Sequence, residues 1–201
     1  MNTWTLQAGV PVLNVTRDYS GQTALVTQKR FGVNGAEQWI VPLTWTTEAQ
    51  LDFDTQTPSA WLMTAETQLE VGVPPADQWL LLNVQQTAYY RVNYDQANWD
   101  MLFAFLEDPN TAELIHPLNR AQILDDSFAL AKFGHLPYTT ALSATKFLSH
   151  ETTMGPWMAA IASLEFLRDR MYQNKDTEIL FDRYNCPNYA PKLRSLEFAY
   201  S

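Results

Sequence analysis

His150 and Glu151 come nearest to a catalytic pattern in this sequence. The segment His150-Glu151-Thr152-Thr153-Met154 begins like the zinc-binding sequence His-Glu-x-x-His, in which two imidazoles four residues apart share one helix face. Met154 occupies the second histidine position, and a neutral thioether is a poor zinc ligand. The sequence contains no Cys-x-x-Cys pair, glycine-rich phosphate loop or Gly-x-Ser-x-Gly turn. We therefore predict no catalytic, cofactor-binding or metal-binding residue in this chain.

Two adjacent carboxylates, Asp125 and Asp126, are a second candidate for chemistry. Side chains one residue apart on a helix point about 100° apart, so these two cannot share a proton as a catalytic pair does. We expect one of them to pair locally while the other faces water. Arg91 lies among tyrosines in a predicted strand, and we predict structural pairing with an acidic residue, with substrate binding as the alternative.

The charge balance limits the partners of the chain. Its 201 residues carry 13 Lys and Arg against 22 Asp and Glu, a formal net charge of -9. A phosphate-binding surface needs clustered cations, so we predict no nucleic-acid partner. The longest apolar run, 79–82, is far shorter than the ~20 residues of a membrane-spanning helix. Residues 1–5 lack the features of a signal peptide, so neither a signal nor a transmembrane segment is predicted.

Two residues are candidates for covalent modification. Cys186 is the only cysteine, so no disulfide can form within the chain. It is either a free thiol or one half of a disulfide with a partner outside this sequence. Asn14-Val15-Thr16 is the only N-glycosylation sequon, which makes Asn14 a candidate glycan acceptor.

The first half of the chain has the pattern of a β domain. Apolar residues recur at every second position in about seven short runs rich in Trp, Val and Thr, which is typical of a β-sandwich. Because Pro11 and Pro42 lack an amide donor, we expect their strands to be irregular there or to lie at sheet edges. Five of the seven tryptophans fall in this half, as core residues or as a ligand-stacking platform. The predicted strands are 10–15, 24–28, 39–45, 59–64, 68–70, 79–84 and 89–94.

The spacing of apolar residues changes to three and four after Asp95, which predicts helices. Asp95 can cap a helix over 97–106, and Pro117 suits a first helical position. Gly134 is expected to end that second helix. Further helices are expected from Pro137 and Pro156. Their short connections are typical of antiparallel helical hairpins that stack on each other.

These patterns predict a multi-domain β + α protein. An N-terminal β-sandwich over 1–95 is followed by the start of an antiparallel helical-hairpin stack, armadillo-like or HEAT-like, over 96–201. Such stacks need a polar cap on their last repeat, and 190–200 reads as an element that is interrupted. We therefore expect both ends of this sequence to be internal to something larger.

Several motifs together resemble the M1 zinc aminopeptidases of the aminopeptidase N type. Those that resemble the β-sandwich third domain of the family are Trp4-Thr5-x-Gln7-x-Gly9-x-Pro11-Val12, Gln28-x-Arg30-Phe31 and Trp39-x-Val41-Pro42-Leu43. Those that resemble the start of its helical C-terminal domain are Tyr89-Tyr90-Arg91-Val92-Asn93-Tyr94-Asp95, Asn119-Arg120-Ala121-Gln122-x-x-x-Asp126, Leu130-Ala131-x-x-Gly134 and Pro156-Trp157. The likeness covers essentially the whole chain. Ala88 departs from it, because the family usually has glycine before the tyrosine pair.

The resemblance implies a supporting role. In the family, the zinc ligands, the substrate-amine motif and a transition-state tyrosine lie in a preceding catalytic domain, and none of these motifs is present here. The resemblance implies that the sandwich spaces two larger domains, and that the helical domain closes over the active site and lines the peptide cavity. It also implies a secreted or membrane-anchored parent at the extracellular face of the plasma membrane, with a glycan at Asn14.

Two functions follow as hypotheses. The first is a non-catalytic portion of a zinc aminopeptidase, inactive alone, whose partners are the parent's catalytic domain and its peptide substrate. The second is a stand-alone binding module for a protein or glycan, such as the toxin or virus receptor surface that some family members present. Exposure of Trp39, Trp45, Trp61 and Trp79 as a cluster would favour the second. The parent's residue preference, anchor and oligomeric state are left open by the sequence.

Overall fold

The computed structural model describes residues 2–70 and 72–185. Cys186 and the segment 190–200, on which two of the expectations rest, lie outside these residues. Eight strands precede Asp95, and five of the six described α-helices follow it. The strands are β1 (Pro11–Asp18), β2 (Thr23–Arg30), β3 (Val41–Leu43), β4 (Trp45–Thr47), β5 (Ala60–Leu62), β6 (Glu66–Leu69), β7 (Leu80–Leu82) and β8 (Arg91–Tyr94).

A four-stranded sheet with the order β6-β2-β1-β8 forms the largest β element. β1 pairs with β2 and β2 pairs with β6 in antiparallel register, whereas β8 lies parallel to β1. Leu13, Val15 and Val26 alternate with more exposed residues and are buried on one face, as period-two patterning requires. β1 is therefore an interior strand, so of the two alternatives predicted from Pro11, irregularity or an edge position, the edge position is wrong. Pro11 is tolerated because it is the first residue, and pairing with β8 starts at Val12.

Two shorter antiparallel pairs complete the β half. β3 pairs with β5, and β4 pairs with β7. Pro42 lies in β3, whose only described neighbour is β5. β3 is therefore an edge strand, as expected for a strand that contains a proline. Trp39 and Trp79 are buried, which confirms the core prediction for these two, but Trp61 is 51% exposed and departs from it.

β8 leads within one residue into α2 (Gln96–Glu107), the junction that the change of period predicted. The Asp95 carboxylate accepts a hydrogen bond from the amide of Asn98 at 3.0 Å, so the predicted cap is confirmed. The same carboxylate accepts from the amide of Arg17 and the hydroxyl of Tyr19. One side chain therefore starts the helix and also fixes it to the first strand.

α3 (Pro117–Lys132) begins at the predicted proline and ends as predicted before Gly134. Gly134 has φ of 74°, and its amide donates to the carbonyl of Ala131. The amide of His135 donates to the carbonyl of Leu130, so the two hydrogen bonds together form a Schellman motif. α3 packs against the 3₁₀ turn Val84–Gln86, β8, α4 (Tyr138–Ser143) and α5 (Met154–Met171), which makes it the central helix of the described part.

The later helices differ from the sequence prediction in their boundaries. The segment from Pro137 forms only the short α4 (Tyr138–Ser143), which is followed by a 3₁₀ turn at Lys146–Ser149. α5 (Met154–Met171) begins two residues before Pro156 and buries Trp157, Ala160 and Leu164. Two helices were not predicted: α1 (Asn2–Thr5) and α6 (Lys175–Asn185).

One continuous cluster of buried apolar side chains runs from the sheets into the helices. Trp79 contacts Phe105 of α2 edge to face, with ring centroids 5.2 Å apart, and Tyr94 of β8 contacts Trp99 in the same manner at 5.0 Å. The fold is a mixed β plus α class, as predicted.

Candidate functional site

Glu151, the glutamate of the zinc-like segment, is engaged in a buried ion pair. Arg120 Nε lies 2.6 Å from Glu151 Oε2, and the two side chains are only 3% and 2% exposed. Glu151 Oε1 also accepts from the amide and the hydroxyl of Thr153. Burial favours the neutral acid, but the hydrogen bonds from Arg120 and Thr153 hold the pKa of Glu151 below its usual value. The carboxylate therefore fastens the start of α5 to α3 and is not free to act as a base.

His150 has partners of its own. Its Nε2 lies 2.9 Å from the carbonyl oxygen of Leu106, and its Nδ1 lies 3.4 Å from the hydroxyl of Ser149. Met154 is the first residue of α5, so His150 lies before the helix and does not share a helix face with position 154. This geometry does not fit a zinc ion, because the imidazole and the carboxylate are used for packing the α2, α3 and α5 segments together.

The other two histidines lie elsewhere in the fold. His116 Nδ1 accepts from the amide of Leu118 at the start of α3, at 3.3 Å. His135 follows the end of α3, with Nδ1 3.5 Å from Lys29 Nζ, and burial and the lysine charge both lower its pKa. Over residues 2–70 and 72–185, no three His, Cys, Asp or Glu side chains come together in a group that could hold a metal ion.

Arg91, Asp125 and Asp126 form an ion-pair junction between the β and α halves. Arg91 Nη1 lies 2.6 Å from Asp125 Oδ2 and 2.8 Å from Asp126 Oδ1. The predicted structural pairing of Arg91 is therefore confirmed. Asp126 is buried and also accepts from the amide of Val92 at 2.9 Å, whereas Asp125 is 52% exposed. Both aspartates contact the arginine, so the exposed one is paired as well.

Burial raises the pKa of Asp126 to about 7, although Arg91 and the amide of Val92 favour the ionised form. The cause is the loss of hydration at a carboxylate that is almost completely enclosed. Asp126 could therefore exchange a proton near neutral pH. Asp126 lines the open cleft described below, but its oxygens accept hydrogen bonds from Arg91 and from the amide of Val92, which gives it a structural role.

Asn119 and the loop that it holds were missed by sequence reasoning. Asn119 Oδ1 accepts from the amide of Gln85, and Asn119 Nδ2 donates to the carbonyl of Asn83. Asn83, Gln85 and Gln86 all have φ between 52° and 64°, a region that costs non-glycine residues energy. The short polar run of Asn and Gln residues was the available sequence signal for this loop. The run alone does not show which helix supports the loop.

Ala88 fits the turn in which the family resemblance placed glycine. Its amide donates to Asn83 Oδ1 and its carbonyl accepts from Asn83 Nδ2. The described non-glycine residues with positive φ do not include Ala88. Alanine therefore costs no backbone strain at this position, because the left-handed geometry is carried by the residues before it.

Arg17 is a second residue whose importance the sequence did not reveal. It is 6% exposed, and its guanidinium donates to the carbonyls of Pro74, Pro75 and Gln78 and to Asn98 Oδ1. Arg17 follows Leu13 and Val15 at period two, so its inward direction was readable from the strand pattern. It ties the loop before β7 to the start of α2.

An open cleft of about 380 Å³ lies beside the Arg91 junction. The strained loop and Tyr89, which is 77% exposed, form one wall, and Gln122, Asp125 and Asp126 form the other. Its charged groups are already paired with each other, and it contains no nucleophile activated by a neighbouring base. The cleft can present hydrogen-bonding groups to a partner, but its residues do not assemble a catalytic arrangement.

Asn14, the candidate glycan acceptor, lies in the middle of β1. Its side chain is half-buried, and Asn14 Oδ1 accepts from Asn93 Nδ2 of β8 at 3.2 Å. Thr16, the third sequon residue, is exposed on the same face. Glycosylation of Asn14 stays a prediction. None of the helices that the structure describes has the length and apolar character needed to span a bilayer.

Comparison with known sequences places these features in context. Residues 79–201 match the sequence profile of the ERAP1-like C-terminal domain. The chain is 39% identical over 206 residues to an aminopeptidase N from Plutella xylostella, an alignment that covers 98% of this chain and 21% of the relative. It is 39% identical over 173 residues to a membrane alanyl aminopeptidase from Heliothis virescens, which covers 84% of this chain and 17% of the relative.

A relative with lower sequence identity aligns to a similar part of this chain. The chain is 35% identical over 178 residues to the aminopeptidase N of Homo sapiens, with 84% of this chain and 17% of the relative aligned. The chain thus spans about a fifth of the length of the relatives it matches.

Proposed function

This chain belongs to the ERAP1-like C-terminal domain family of M1 aminopeptidases, and we propose that it is a non-catalytic portion of a zinc aminopeptidase that removes N-terminal residues from peptides. The observation that carries the proposal is the alignment itself. Nearly all of this chain matches about a fifth of an aminopeptidase N. Hydrolysis would then depend on a catalytic domain and a zinc ion that other residues of the parent hold.

The proposed role is that of scaffold and lid. The strands would form a sandwich-like spacer, and the helices would begin an armadillo-like stack that closes over the parent's active site. Rigid attachment between the two halves is what such a role needs, and the contacts of Arg91, Arg17 and Asp95 across the β–α junction support it. The parent's catalytic domain and its peptide substrate are the proposed partners.

We place the parent at the extracellular face of the plasma membrane, with a glycan on Asn14. Two relatives, from Heliothis virescens and Manduca sexta, carry the name membrane alanyl aminopeptidase, which supports this location. Expression in a glycosylating cell line, followed by glycosidase digestion, tests the glycan. A shift in mass that Asn14→Gln abolishes is the expected result, and an unchanged mass of the wild type would count against it.

The direct test of the non-catalytic role is an activity assay on this chain. We expect incubation with zinc and an aminoacyl chromogenic substrate to give no turnover above a blank that contains the metal alone. Turnover that a chelator removes and that His150→Ala abolishes would overturn the proposal. The DNA sequence around the coding region gives a second test, since a His-Glu-x-x-His sequence upstream in the same reading frame is expected.

The alternative, a stand-alone docking module, has weaker support. It required an exposed aromatic cluster, but Trp39 and Trp79 are buried in the core and Trp45 is partly buried against it. Trp61 alone is exposed among these four. A toxin or virus receptor role would need a different surface from the one that the tryptophan pattern suggested.

A further inference from the structure

Asn34-Gly35 is the single Asn-Gly pair of this sequence, and it lies in the segment between β2 and β3. Neither residue belongs to a helix or a strand, and both are exposed. Because glycine has no Cβ, its backbone is less restricted than that of other residues and its amide is less crowded. The pair therefore places an accessible side-chain carbonyl next to an accessible backbone nitrogen.

Hydrogen bonds do not hold the two groups of this pair in place. Over residues 2–70 and 72–185, the side chain of Asn34 has no hydrogen-bond partner and the amide of Gly35 has no acceptor. An amide in a helix or in a sheet ladder would have to break its hydrogen bond before its nitrogen could react. The Gly35 amide has no such bond to break.

Two other exposed asparagines provide a comparison. Asn110 Nδ2 donates to Asp108 Oδ1 at 2.8 Å, and Asn174 Oδ1 accepts from the amide of Asp176 at 2.9 Å. Each is followed in the sequence by a residue with a side chain, a threonine in one case and a lysine in the other. Exposure is thus common to all three asparagines, but an unbonded side chain followed by glycine occurs only at Asn34.

Local packing requires glycine at position 35. A Cβ there would meet Glu37 Oε2 at less than van der Waals distance. The Glu37 carboxylate is held by Arg30, whose Nη1 lies 2.6 Å from Oε1. A larger residue at position 35 would therefore have to displace this ion pair. The fold thus keeps glycine beside Asn34.

We propose that Asn34 is a site of spontaneous deamidation in the folded protein, which converts it to aspartate and isoaspartate. The amide nitrogen of Gly35 forms a bond to Cγ of Asn34, and the bond between Cγ and Nδ2 breaks. Ammonia leaves with the amide proton, and a cyclic succinimide remains. Water then opens the ring at either of its carbonyls. The reaction needs no other part of the parent and is independent of the aminopeptidase role.

The product would change the charge and the length of this segment. Asn34 lines a cleft of about 400 Å³ together with Lys29 and Arg30. Over the described residues, Lys29 has no carboxylate partner, so a carboxylate at position 34 would be attracted to it. Isoaspartate also adds a carbon to the backbone. The same segment contacts the end of α3, because a Cβ at Gly32 would lie 3.1 Å from the ring of Phe133.

The test is a time course on the folded chain at neutral pH, followed by mass spectrometry of its peptides. We expect a gain of about 1 Da at Asn34, with both aspartate and isoaspartate among the products, and no gain at Asn110 or Asn174. The rate should rise from neutral to mildly alkaline pH, because the Gly35 amide must lose its proton. An unchanged Asn34, or an equal gain at Asn110 and Asn174, would overturn the proposal.

A reference peptide shows which state of the chain reacts. Acetyl-Gly-Val-Asn-Gly-Ala-Glu-amide copies residues 32–37 without the fold. If the folded chain reacts, its rate should lie within about tenfold of the peptide rate, whereas reaction through the unfolded state alone would be slower by about 10³-fold or more. The slower rate would contradict deamidation in the folded state.

Matched variants locate the modification. Asn34→Gln cannot close the same ring and should abolish the gain in mass. Asn110→Gln makes the same change at another exposed side chain and should leave the gain at Asn34 unchanged. Circular dichroism checks that both variants keep the fold. If the gain persisted in Asn34→Gln, the assigned site would be wrong.

Discussion

Glu151 and Asp126 are both shielded from water, yet their surroundings move their pKa values in opposite directions. At Glu151 the hydrogen bonds from Arg120 and Thr153 outweigh burial, and the pKa falls. At Asp126 burial outweighs Arg91 and the amide of Val92, and the pKa rises to about 7. Asp126 attaches α3 to β8, and Glu151 attaches the start of α5 to α3. Both carboxylates therefore hold neighbouring elements together.

The raised pKa of Asp126 predicts that the stability of the protein depends on pH. Its folded-state pKa lies above the unfolded one, so the folded state binds the extra proton between about pH 4 and about pH 7. The free energy of unfolding of the wild type should therefore fall, relative to that of Asp126→Asn, as pH rises through this window. Urea denaturation of both proteins across the range measures the difference. A relative gain for the wild type with rising pH would mean that Arg91 outweighs burial.

The Arg120–Glu151 pair predicts a large loss when one partner is removed. Arg120→Met leaves Glu151 buried without its cation, and the free energy of unfolding should fall by about 3–5 kcal/mol. Adding Glu151→Leu removes the stranded charge, so the double variant should be more stable than the single one. Arg168→Met, at an exposed pair, should change stability by less than about 0.5 kcal/mol. Chemical denaturation measures all three, and a double variant less stable than Arg120→Met would contradict this account.

Among the secondary-structure elements, the starts and ends with local signals were predictable. Asp95 and Pro117 mark helix starts and Gly134 marks a helix end in the sequence, and the structure confirms all three. α4 is shorter than its apolar pattern suggested, because the chain turns into a 3₁₀ segment before the next helix. α6 was missed, and it packs against α5.

Alanine substitutions at two glycines distinguish the cost of backbone strain from the cost of a packing clash. Gly134 has φ of 74° and open space where a Cβ would lie, so Gly134→Ala should cost about 1 kcal/mol from the backbone alone. Gly32 has φ of 80°, and its Cβ would lie 3.1 Å from the ring of Phe133. Gly32→Ala should therefore cost more than Gly134→Ala. Thermal unfolding compares the two variants, and an equal loss would show that Phe133 moves aside freely.

In the whole molecule, the β and α halves share one apolar core and a set of polar contacts. Trp79 packs on Phe105, Arg17 reaches Asn98, and Arg91 reaches Asp125 and Asp126. These contacts cross the point where the sequence changes its period. They imply that the two halves stabilise each other, as adjoining domains with an apolar interface do.

The shared core predicts cooperative unfolding. Near-ultraviolet circular dichroism reports aromatic side chains of both halves, including Trp39 and Trp79 in the β half and Trp99 in α2. It should give the same midpoint as far-ultraviolet circular dichroism, which is dominated by the helices. Asp95→Ala removes a helix cap together with its contacts to Arg17 and Tyr19, and should lower both midpoints together. Asp100→Ala, on the exposed side of α2, should change neither midpoint. Two separate transitions in the wild type would show that the halves unfold independently.

The sequence by itself determined the class of the fold, the change from strands to helices at Asp95 and the resemblance to the M1 aminopeptidases. These depend on local signals, namely apolar periodicity, caps, prolines and motifs, which are readable along the chain. Only the tertiary structure decided that Glu151 pairs with Arg120, that Asn119 supports the loop 83–87 and that Lys132 and Arg170 meet at Phe166. Each of these contacts joins residues on different elements, and their distance in space is set by how helices and strands pack rather than by their order in the sequence.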